Sequence, residues 1–180
     1  ILSTMSGFLN PEGILQDLRI LQAGMRVADL GCGAGYFSVA LAQLVGDTGK
    51  VYAVDVQQSA LDSVTRRAQQ MGFDNIELIR ANLEKVGSTG LASGTLDMAL
   101  LATVLFQSEK KADILKEAKR ILQKDGFLVI IDWDPQASIG AGSYKISKQE
   151  VIILATQTVF ALQKEFSVDA YHYGLLFTNP

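Results

Sequence analysis

The chain is poor in the residues that define metal, disulfide and membrane proteins. Its 180 residues include one cysteine, one histidine and three prolines. A single cysteine, Cys32, excludes an internal disulfide and a cysteine-rich metal site, and it is typical of a reducing compartment. No run approaches the roughly 20 apolar residues of a membrane span, and no signal-peptide pattern is present. We therefore expect a cytoplasmic protein with no membrane span and no metal site. Because the chain begins at Ile1 and not at Met, a truncated N-terminus is left open.

Charge of either sign is also sparse. Sixteen basic and 19 acidic residues give a net charge of −3, and 48% of the residues are hydrophobic. This weak negative charge attracts neither nucleic acid nor an anionic membrane. The hydrophobic content excludes a disordered chain and is enough for one core. We expect a single domain over residues 1–180, as a monomer or a homodimer.

Short apolar strand patterns alternate with helix patterns along most of the chain. Residues 1–24 include a predicted N-terminal helix, opened by Asn10 and Pro11, that could serve as a lid. The alternation predicts a parallel sheet with helices on both faces. Strands are predicted at 25–30, 51–56, 75–81, 95–102 and 127–133, and further helices at 36–46, 59–72 and 108–122.

The C-terminal part departs from this alternation. A capping box at 147–150 opens an apolar helix predicted over 151–162, which would form core or, in the minority interpretation, a dimer interface. Two strand patterns follow, with a short polar connection that permits an antiparallel hairpin but no parallel crossover. The predicted fold is α/β, a Rossmann-like doubly wound sheet of five parallel strands plus a C-terminal antiparallel hairpin, seven strands in all.

A glycine-rich turn joins the first strand to the next helix. In "GCGAG" the glycines occupy every second position, at Gly31, Gly33 and Gly35. Glycine allows the backbone to approach a ligand closely, and ligands of open α/β sheets bind at the carboxyl ends of the strands. Asp55 ends the second strand, where its carboxylate can accept both hydroxyls of a ribose or merely cap the following helix. A nucleotide-like ligand is therefore expected.

Two neighbouring residues select among nucleotide-like ligands. Tyr36 occupies the position at which the dinucleotide fingerprint requires glycine, and no Gly-Lys-Ser/Thr follows the turn as a P-loop would require. Asp29 lies in the strand just before the turn, where its charge would repel a pyrophosphate but attract an ammonium and a sulfonium. These features favour S-adenosylmethionine over a nicotinamide dinucleotide or a nucleoside triphosphate.

Four segments resemble a known family. "VADLGCGAGYFS" is similar to the first motif of class I S-adenosylmethionine-dependent methyltransferases, and "VYAVDV" to their second-strand acidic motif. "LIRANLEK" resembles their third-strand loop, and "AKRILQKDGFLVIID" the segment from the fourth helix to the fifth strand. The similarity covers roughly residues 10–135 and is closest to the small-molecule branch of ubiquinone and menaquinone biosynthesis.

The resemblance implies an enzyme that moves the methyl group of S-adenosylmethionine to a small-molecule acceptor by in-line displacement, with S-adenosylhomocysteine as product. The main alternative is a non-catalytic S-adenosylmethionine-binding module or partner subunit. A nicotinamide-dependent dehydrogenase is the more distant alternative.

The same resemblance implies cofactor-binding roles for particular residues. Asp29 and the glycine backbone would hold the ammonium and carboxylate of the methionine part, and Asp55 would hold the ribose. Asn82 stands where many relatives carry an Asp that accepts from the adenine amino group. The full set is Asp29, Gly31, Cys32, Gly33, Gly35, Tyr36, Asp55, Val56, Asn82, Leu83, Ala102 and Thr103.

The sequence suggests two catalytic candidates. His172 could remove a proton from an acceptor, although a structural, hydrogen-bonded histidine is the favoured interpretation. Strand alternation places it on the opposite face from Tyr171 and Tyr173. Asp132 ends the fifth strand at the ligand-binding edge and could contact substrate or only close the strand. The polar, glycine-rich loop 134–145 could form a rim or a disordered connection.

Overall fold

A computed structural model describes residues 9–138 and 145–180. Residues 1–8 of the predicted lid and 139–144 of the predicted rim lie outside the described residues. A 3₁₀ turn, Leu105–Gln107, follows the fourth strand. The helices and strands are α1 Pro11–Leu18, β1 Arg26–Leu30, α2 Tyr36–Val45, β2 Lys50–Asp55, α3 Gln58–Met71, β3 Ile76–Arg80, β4 Leu96–Ala102, α4 Lys111–Ile121, β5 Leu122–Trp133, α5 Lys148–Gln157, β6 Ala161–Ser167 and β7 His172–Thr178.

The strands form one seven-stranded sheet in the order β3-β2-β1-β4-β5-β7-β6. The first five pair in parallel, and β7 pairs antiparallel with both β5 and β6. The predicted fold is therefore confirmed. Strand order reverses between β1 and β4, and the carboxyl ends of these two strands form the crevice in which such sheets bind ligands.

Helices cover both faces of the sheet. Val27, Leu100 and Ile131 pack with α1 and α2, and we call this side the α2 face. Leu101 and Ile130 project to the other side, where they pack with α4 and α5, and we call it the α4 face. Successive residues of a strand point to opposite sides of the sheet, and this alternation decides which side chains can share a site.

Three predicted boundaries are wrong. The first helix is expected to continue until Gly24 stops it, but it ends at Leu18, because Arg19 adopts a left-handed conformation with φ 55° and its N–H donates to the carbonyl of Gln16. The helix predicted over 151–162 ends at Gln157, and Val159 turns the chain with φ 65° into β6. β5 begins at Leu122, directly after α4, and not at 127.

Among the described residues, no helix combines the length and the hydropathy required to cross a bilayer.

A buried ionic cluster fixes the long connection between β3 and β4. Glu117 of α4 is fully buried. Its carboxylate accepts hydrogen bonds from the Thr89 hydroxyl at 2.5 Å, the Gly87 N–H at 2.6 Å, and two Arg120 nitrogens at 2.8 and 2.9 Å. Burial alone would raise the pKa of Glu117, but these bonds outweigh it and lower the pKa to about 2. The connection is therefore held to α4 by an ionised carboxylate.

We expect Glu117→Gln to destabilise the protein by about 3 kcal/mol at pH 7, because it leaves the Arg120 charge in a partly buried position without its partner. Urea denaturation measures this difference. A group with a depressed pKa contributes stability above its unfolded-state pKa, and the contribution is lost as pH falls toward 2. The difference in the free energy of unfolding between wild type and Glu117→Gln should therefore become smaller as pH falls below 4.5.

Lys116→Gln is the control for this prediction, since it removes only an exposed pair with Asp113 on the same helix. We expect no measurable change in its denaturation midpoint. Equal midpoints for Glu117→Gln and wild type would contradict the role of the cluster.

Candidate functional site

The three glycines of the turn face different surroundings. All have left-handed backbones, with φ of 80° at Gly31, 50° at Gly33 and 83° at Gly35. A Cβ at Gly31 would lie 2.6 Å from Val104, and one at Gly35 would lie 2.8 Å from Val64. A Cβ at Gly33 would have no neighbour within 4 Å. The outer two glycines therefore permit close packing of the protein, and Gly33 borders the open space that a ligand can enter.

Asp29 supplies a buried carboxylate beside this turn. Its side chain lies in the α2 face and is 1% exposed, and the Ser38 hydroxyl donates to it at 2.6 Å. Burial raises the pKa of Asp29 to about 6, opposed by the Ser38 bond and assisted by the charge of Asp55. Within the described part of the chain no cationic side chain pairs with it. A buried carboxylate without a counter-ion is costly, and a cationic ligand would remove that cost.

Asp55 connects the glycine turn to the end of β2. One carboxylate oxygen accepts from the Gly33 N–H at 3.0 Å, and the other accepts from the Gln57 N–H at 2.9 Å. Each carboxylate oxygen has further acceptor capacity, so two ribose hydroxyls can still be bound. The adjacent Val56 is 55% exposed and offers an apolar surface to a flat ring at the same edge.

Tyr36 and Cys32 occupy very different environments. Tyr36 is 58% exposed, and the Arg67 guanidinium lies 3.7 Å from the centre of its ring. Arg67 also donates to the carbonyl of Ala34 at 3.1 Å, so it braces the turn from α3. Cys32 is buried, and burial raises the pKa of its thiol. The thiol therefore stays protonated and packs as a small apolar group.

The remaining predicted cofactor residues follow β3 and β4. Asn82 is exposed, and its amide oxygen already accepts from the Glu84 N–H at 3.0 Å. Leu83 is buried beside it. Thr103, which follows Ala102, has a left-handed φ of 56°, and its N–H donates to the Ile131 carbonyl at 2.7 Å. Such backbone strain in a residue other than glycine clusters at functional sites.

The two catalytic candidates lie on opposite faces of the sheet. Asp132 is fully buried in the α4 face and accepts from the backbone N–H of Phe106 at 3.2 Å. Burial raises its pKa to about 6, against the opposing hydrogen bonds from the backbone. His172 is also buried, and its Nδ1 lies 2.9 Å from a carboxylate oxygen of Asp169. Sequence reasoning missed Asp169, although its spacing of three residues before His172 was a visible signal.

The structure therefore brings the predicted cofactor residues of β1, β2 and β4 to one crevice, and it separates the catalytic candidates from one another. The family model described as a methyltransferase domain matches residues 21–168.

The chain belongs to the methyltransferase family.

Solved and curated relatives agree with this assignment. The methyltransferase chain superposes on a SAM-dependent methyltransferase from Aquifex aeolicus with a TM-score of 0.86 and 27% identity, covering 96% of this chain and 90% of that one. The predicted class of enzyme and its cofactor, S-adenosylmethionine, are confirmed at the level of the family.

Two curated relatives share part of their length with this methyltransferase. Arsenite methyltransferase of Aquipseudomonas alcaligenes is 34% identical over 113 residues, which is 61% of this chain and 33% of that protein. The ubiquinone/menaquinone biosynthesis C-methyltransferase UbiE of Haemophilus ducreyi is 29% identical over 114 residues, 63% of this chain and 43% of that protein. The chain thus spans less than half of either relative.

Proposed function

We propose that this methyltransferase transfers the methyl group of S-adenosylmethionine to a small-molecule acceptor. The observation that carries the proposal is the buried Asp29 carboxylate, which has a raised pKa and pairs with no cation of the described chain. Asp29 lies just before the turn in which Gly33 faces open space. An ammonium-bearing ligand that approaches the glycine backbone satisfies this arrangement, whereas a pyrophosphate would be repelled.

When bound, the sulfonium supplies an already activated methyl group, so no nucleophilic residue of the chain is required. The residues have to bind, orient and exclude water. Asp29 would hold the ammonium group, Asp55 the ribose hydroxyls, and Val56 the adenine face. Ala102 and Thr103, at the end of β4, would line the methionine side.

The small-molecule class of acceptor is part of the proposal. Support comes from the net charge of −3, which attracts no nucleic acid, and from the names of the two curated relatives, which indicate arsenite and quinone-precursor acceptors. Because those acceptors differ, the ubiquinone and menaquinone branch remains a narrower proposal. We also propose one domain, a cytoplasmic location and a monomeric or homodimeric state, the last testable by light scattering.

Asp55→Ala is expected to lose roughly 2 kcal/mol of cofactor affinity, because a pair of charge-assisted hydrogen bonds to the ribose is removed. Titration calorimetry with S-adenosylhomocysteine measures the loss. Asp55→Asn keeps an oxygen that can accept from the Gly33 N–H. Comparing the affinities of the Ala and Asn variants therefore separates the support that Asp55 gives the glycine turn from its binding of the ribose. Asp47→Ala, an exposed change before β2, is the control. Unchanged affinity in Asp55→Ala would contradict the ribose role.

A methyl-donor screen tests the function as a whole. Purified protein is incubated with labelled S-adenosylmethionine and quinol, phenol, amine or arsenite acceptors, and formation of S-adenosylhomocysteine is measured. We expect turnover of at least one acceptor, tight binding of S-adenosylhomocysteine and no binding of NAD(H). Binding without any turnover would instead support the non-catalytic module. Binding of NAD(H) alone would contradict the proposal.

A further inference from the structure

The C-terminal hairpin carries a histidine–carboxylate pair that cofactor binding does not use. Nδ1 of His172 lies 2.9 and 3.0 Å from the two carboxylate oxygens of Asp169. The backbone N–H groups of Tyr171 and His172 both donate to the same carboxylate at 2.8 Å. The ring centre of His172 is 4.0 Å from a ring of Trp133. Asp169 is therefore fixed by the backbone, and the imidazole is fixed by Asp169 and Trp133.

Among the described residues, the other ring nitrogen of His172 has no hydrogen-bond partner. The side chain is 5% exposed, and its Nε2 is buried without a hydrogen bond to any residue in 9–138 or 145–180. A carboxylate can only accept, so a neutral imidazole facing Asp169 carries its proton on Nδ1 and leaves Nε2 as a bare acceptor. A buried acceptor without a donor costs free energy. A ligand that brings an X–H group would supply the missing donor.

The sheet register places this nitrogen on the cofactor side. Asp29 pairs with Leu100, and Leu100 pairs with Val129 of β5. Residues paired across neighbouring strands share a face, and the face repeats every second residue. Trp133 lies four residues beyond Val129, and it pairs with His172 of β7. His172 therefore projects to the α2 face, the same side as Asp29, but closer to the carboxyl edge of the sheet.

Asp132 does not share this position. It pairs with Tyr173 and belongs to the α4 face, and its carboxylate accepts backbone bonds from Phe106 and Trp133. Of the two catalytic candidates, His172 alone combines a vacant acceptor atom with the face that carries Asp29.

In the sheet, β7 lies close enough to β4 for side chains of both strands to contact one small acceptor. β7 is two strands away from β4 in the sheet, which corresponds to about 10 Å at about 4.8 Å per strand. For the reaction, one acceptor atom has to lie about 3 Å from both Nε2 of His172 and the methyl carbon. Side chains that project toward each other from strands about 10 Å apart allow this arrangement.

We propose that Nε2 of His172 accepts a proton from the methyl acceptor, with Asp169 as a positioning residue. The inference rests on the proposed methyl transfer. A bond forms between the acceptor atom X and the methyl carbon as the carbon–sulfur bond breaks, and its electron pair stays on sulfur as a neutral thioether. The proton of X–H passes to Nε2, and the imidazolium is stabilised by Asp169. The acceptor class is one whose nucleophile carries a proton, such as a hydroxyl or an acidic carbon.

Nitrogen NMR tests the resting state of the dyad without any substrate. His172 is the only histidine of the chain, so imidazole-selective ¹⁵N labelling gives a single ring spin system. At pH 8 we expect protonated Nδ1 and unprotonated Nε2 in wild type, and a mixture of both neutral tautomers in Asp169→Ala. A protonated Nε2 in wild type would overturn the proposal, because that nitrogen could not accept a proton.

Paired acceptors test the proton transfer itself. In phenol and hydroquinone the attacking oxygen carries a proton that has to be removed, whereas the attacking sulfur of dimethyl sulfide and the attacking arsenic of arsenite carry none. With S-adenosylmethionine as donor, we expect wild type to methylate the first pair. His172→Gln should lower kcat for these acceptors by about 10²- to 10⁴-fold, with KM for S-adenosylmethionine unchanged. Asp169→Asn should lower kcat by a smaller factor, also without a change in KM.

Several outcomes separate this inference from the proposed function. Tyr171→Phe removes only a hydroxyl and should retain wild-type kcat. Unchanged kcat in His172→Gln would overturn the inference. A wild type that methylates neither phenol nor hydroquinone would also overturn it, whether or not it methylates dimethyl sulfide or arsenite. Retained binding of S-adenosylhomocysteine shows that the variants are folded. Failure of wild type to bind it would contradict methyl transfer altogether.

Discussion

Asp29→Asn is expected to abolish cofactor binding and, at the same time, to stabilise the ligand-free protein. The substituted amide keeps an oxygen for the Ser38 hydroxyl and removes a buried charge that has no described partner. Burial raises the pKa of Asp29 from 3.8 to about 6. At about 1.4 kcal/mol per pKa unit, ionisation at pH 7 costs the fold on the order of 3 kcal/mol.

The two effects of Asp29 have opposite pH dependences. Because its folded-state pKa is raised, the stability contributed by the protonated form is fully present below 3.8 and is lost as pH rises through 6. Binding of an ammonium group requires the ionised form, so wild-type affinity for S-adenosylhomocysteine should fall below about pH 6. Asp132 has a similar pKa, so only the difference between Asp29→Asn and wild type isolates Asp29.

Urea denaturation and calorimetry from pH 5 to pH 8 measure both effects. Asp17→Asn, an exposed change in α1, is the matched control and should alter neither stability nor affinity. If Asp29→Asn bound S-adenosylhomocysteine as tightly as wild type, the carboxylate would have no part in the site. If it were less stable than wild type at pH 7, the buried charge would not be a cost to the fold.

Alanine at two glycines of the turn should separate ligand binding from folding. At Gly33 the added methyl group enters empty space, and the left-handed backbone at φ 50° costs about 1 kcal/mol. The fold should persist, while affinity for S-adenosylhomocysteine falls at least about tenfold because the methyl group occupies the approach of the ligand. Calorimetry of the variant measures this loss.

At Gly35 the added methyl group meets protein instead. It would lie 2.8 Å from a Val64 methyl and 3.1 Å from the Val64 backbone, so α3 has to move. We expect a loss of about 3 kcal/mol in the free energy of unfolding. Gly90→Ala has a similar left-handed φ of 69° and open surroundings, and it measures the backbone cost alone. Equal stability of the Gly33 and Gly35 variants would contradict this division of roles.

Much of the fold was predictable because its signals are local. Apolar strands, helix periodicity and turn glycines lie within a few residues of one another, and they define seven strands with a C-terminal hairpin. The boundaries at Arg19 and Val159 were not predictable, because a left-handed turn at a residue other than glycine has no reliable local signal. The apolar run 151–162 is equally compatible with a long helix and with a helix followed by an edge strand.

The candidate site was predictable where a residue type at one position carries the chemistry, as at Asp29 and Asp55. Contacts between residues that are distant in the sequence were not predictable. The Arg67 guanidinium reaches Tyr36 from another helix. The face of His172 relative to Asp29 depends on the register of four strands, which no single segment encodes. These contacts became visible only when the strands were aligned.

The insertion of β7 between β5 and β6 has a consequence for how the protein reaches its native state. β5 is apolar along Leu128–Ile131, and among the described residues its outer edge pairs with β7, 43 to 49 residues further along the chain. Until β7 docks, β5 presents an apolar strand edge that can pair with another chain. We therefore expect any state in which β7 is undocked to aggregate through the exposed edge of β5, and a variant that weakens the pairing of β5 with β7 to lose soluble protein.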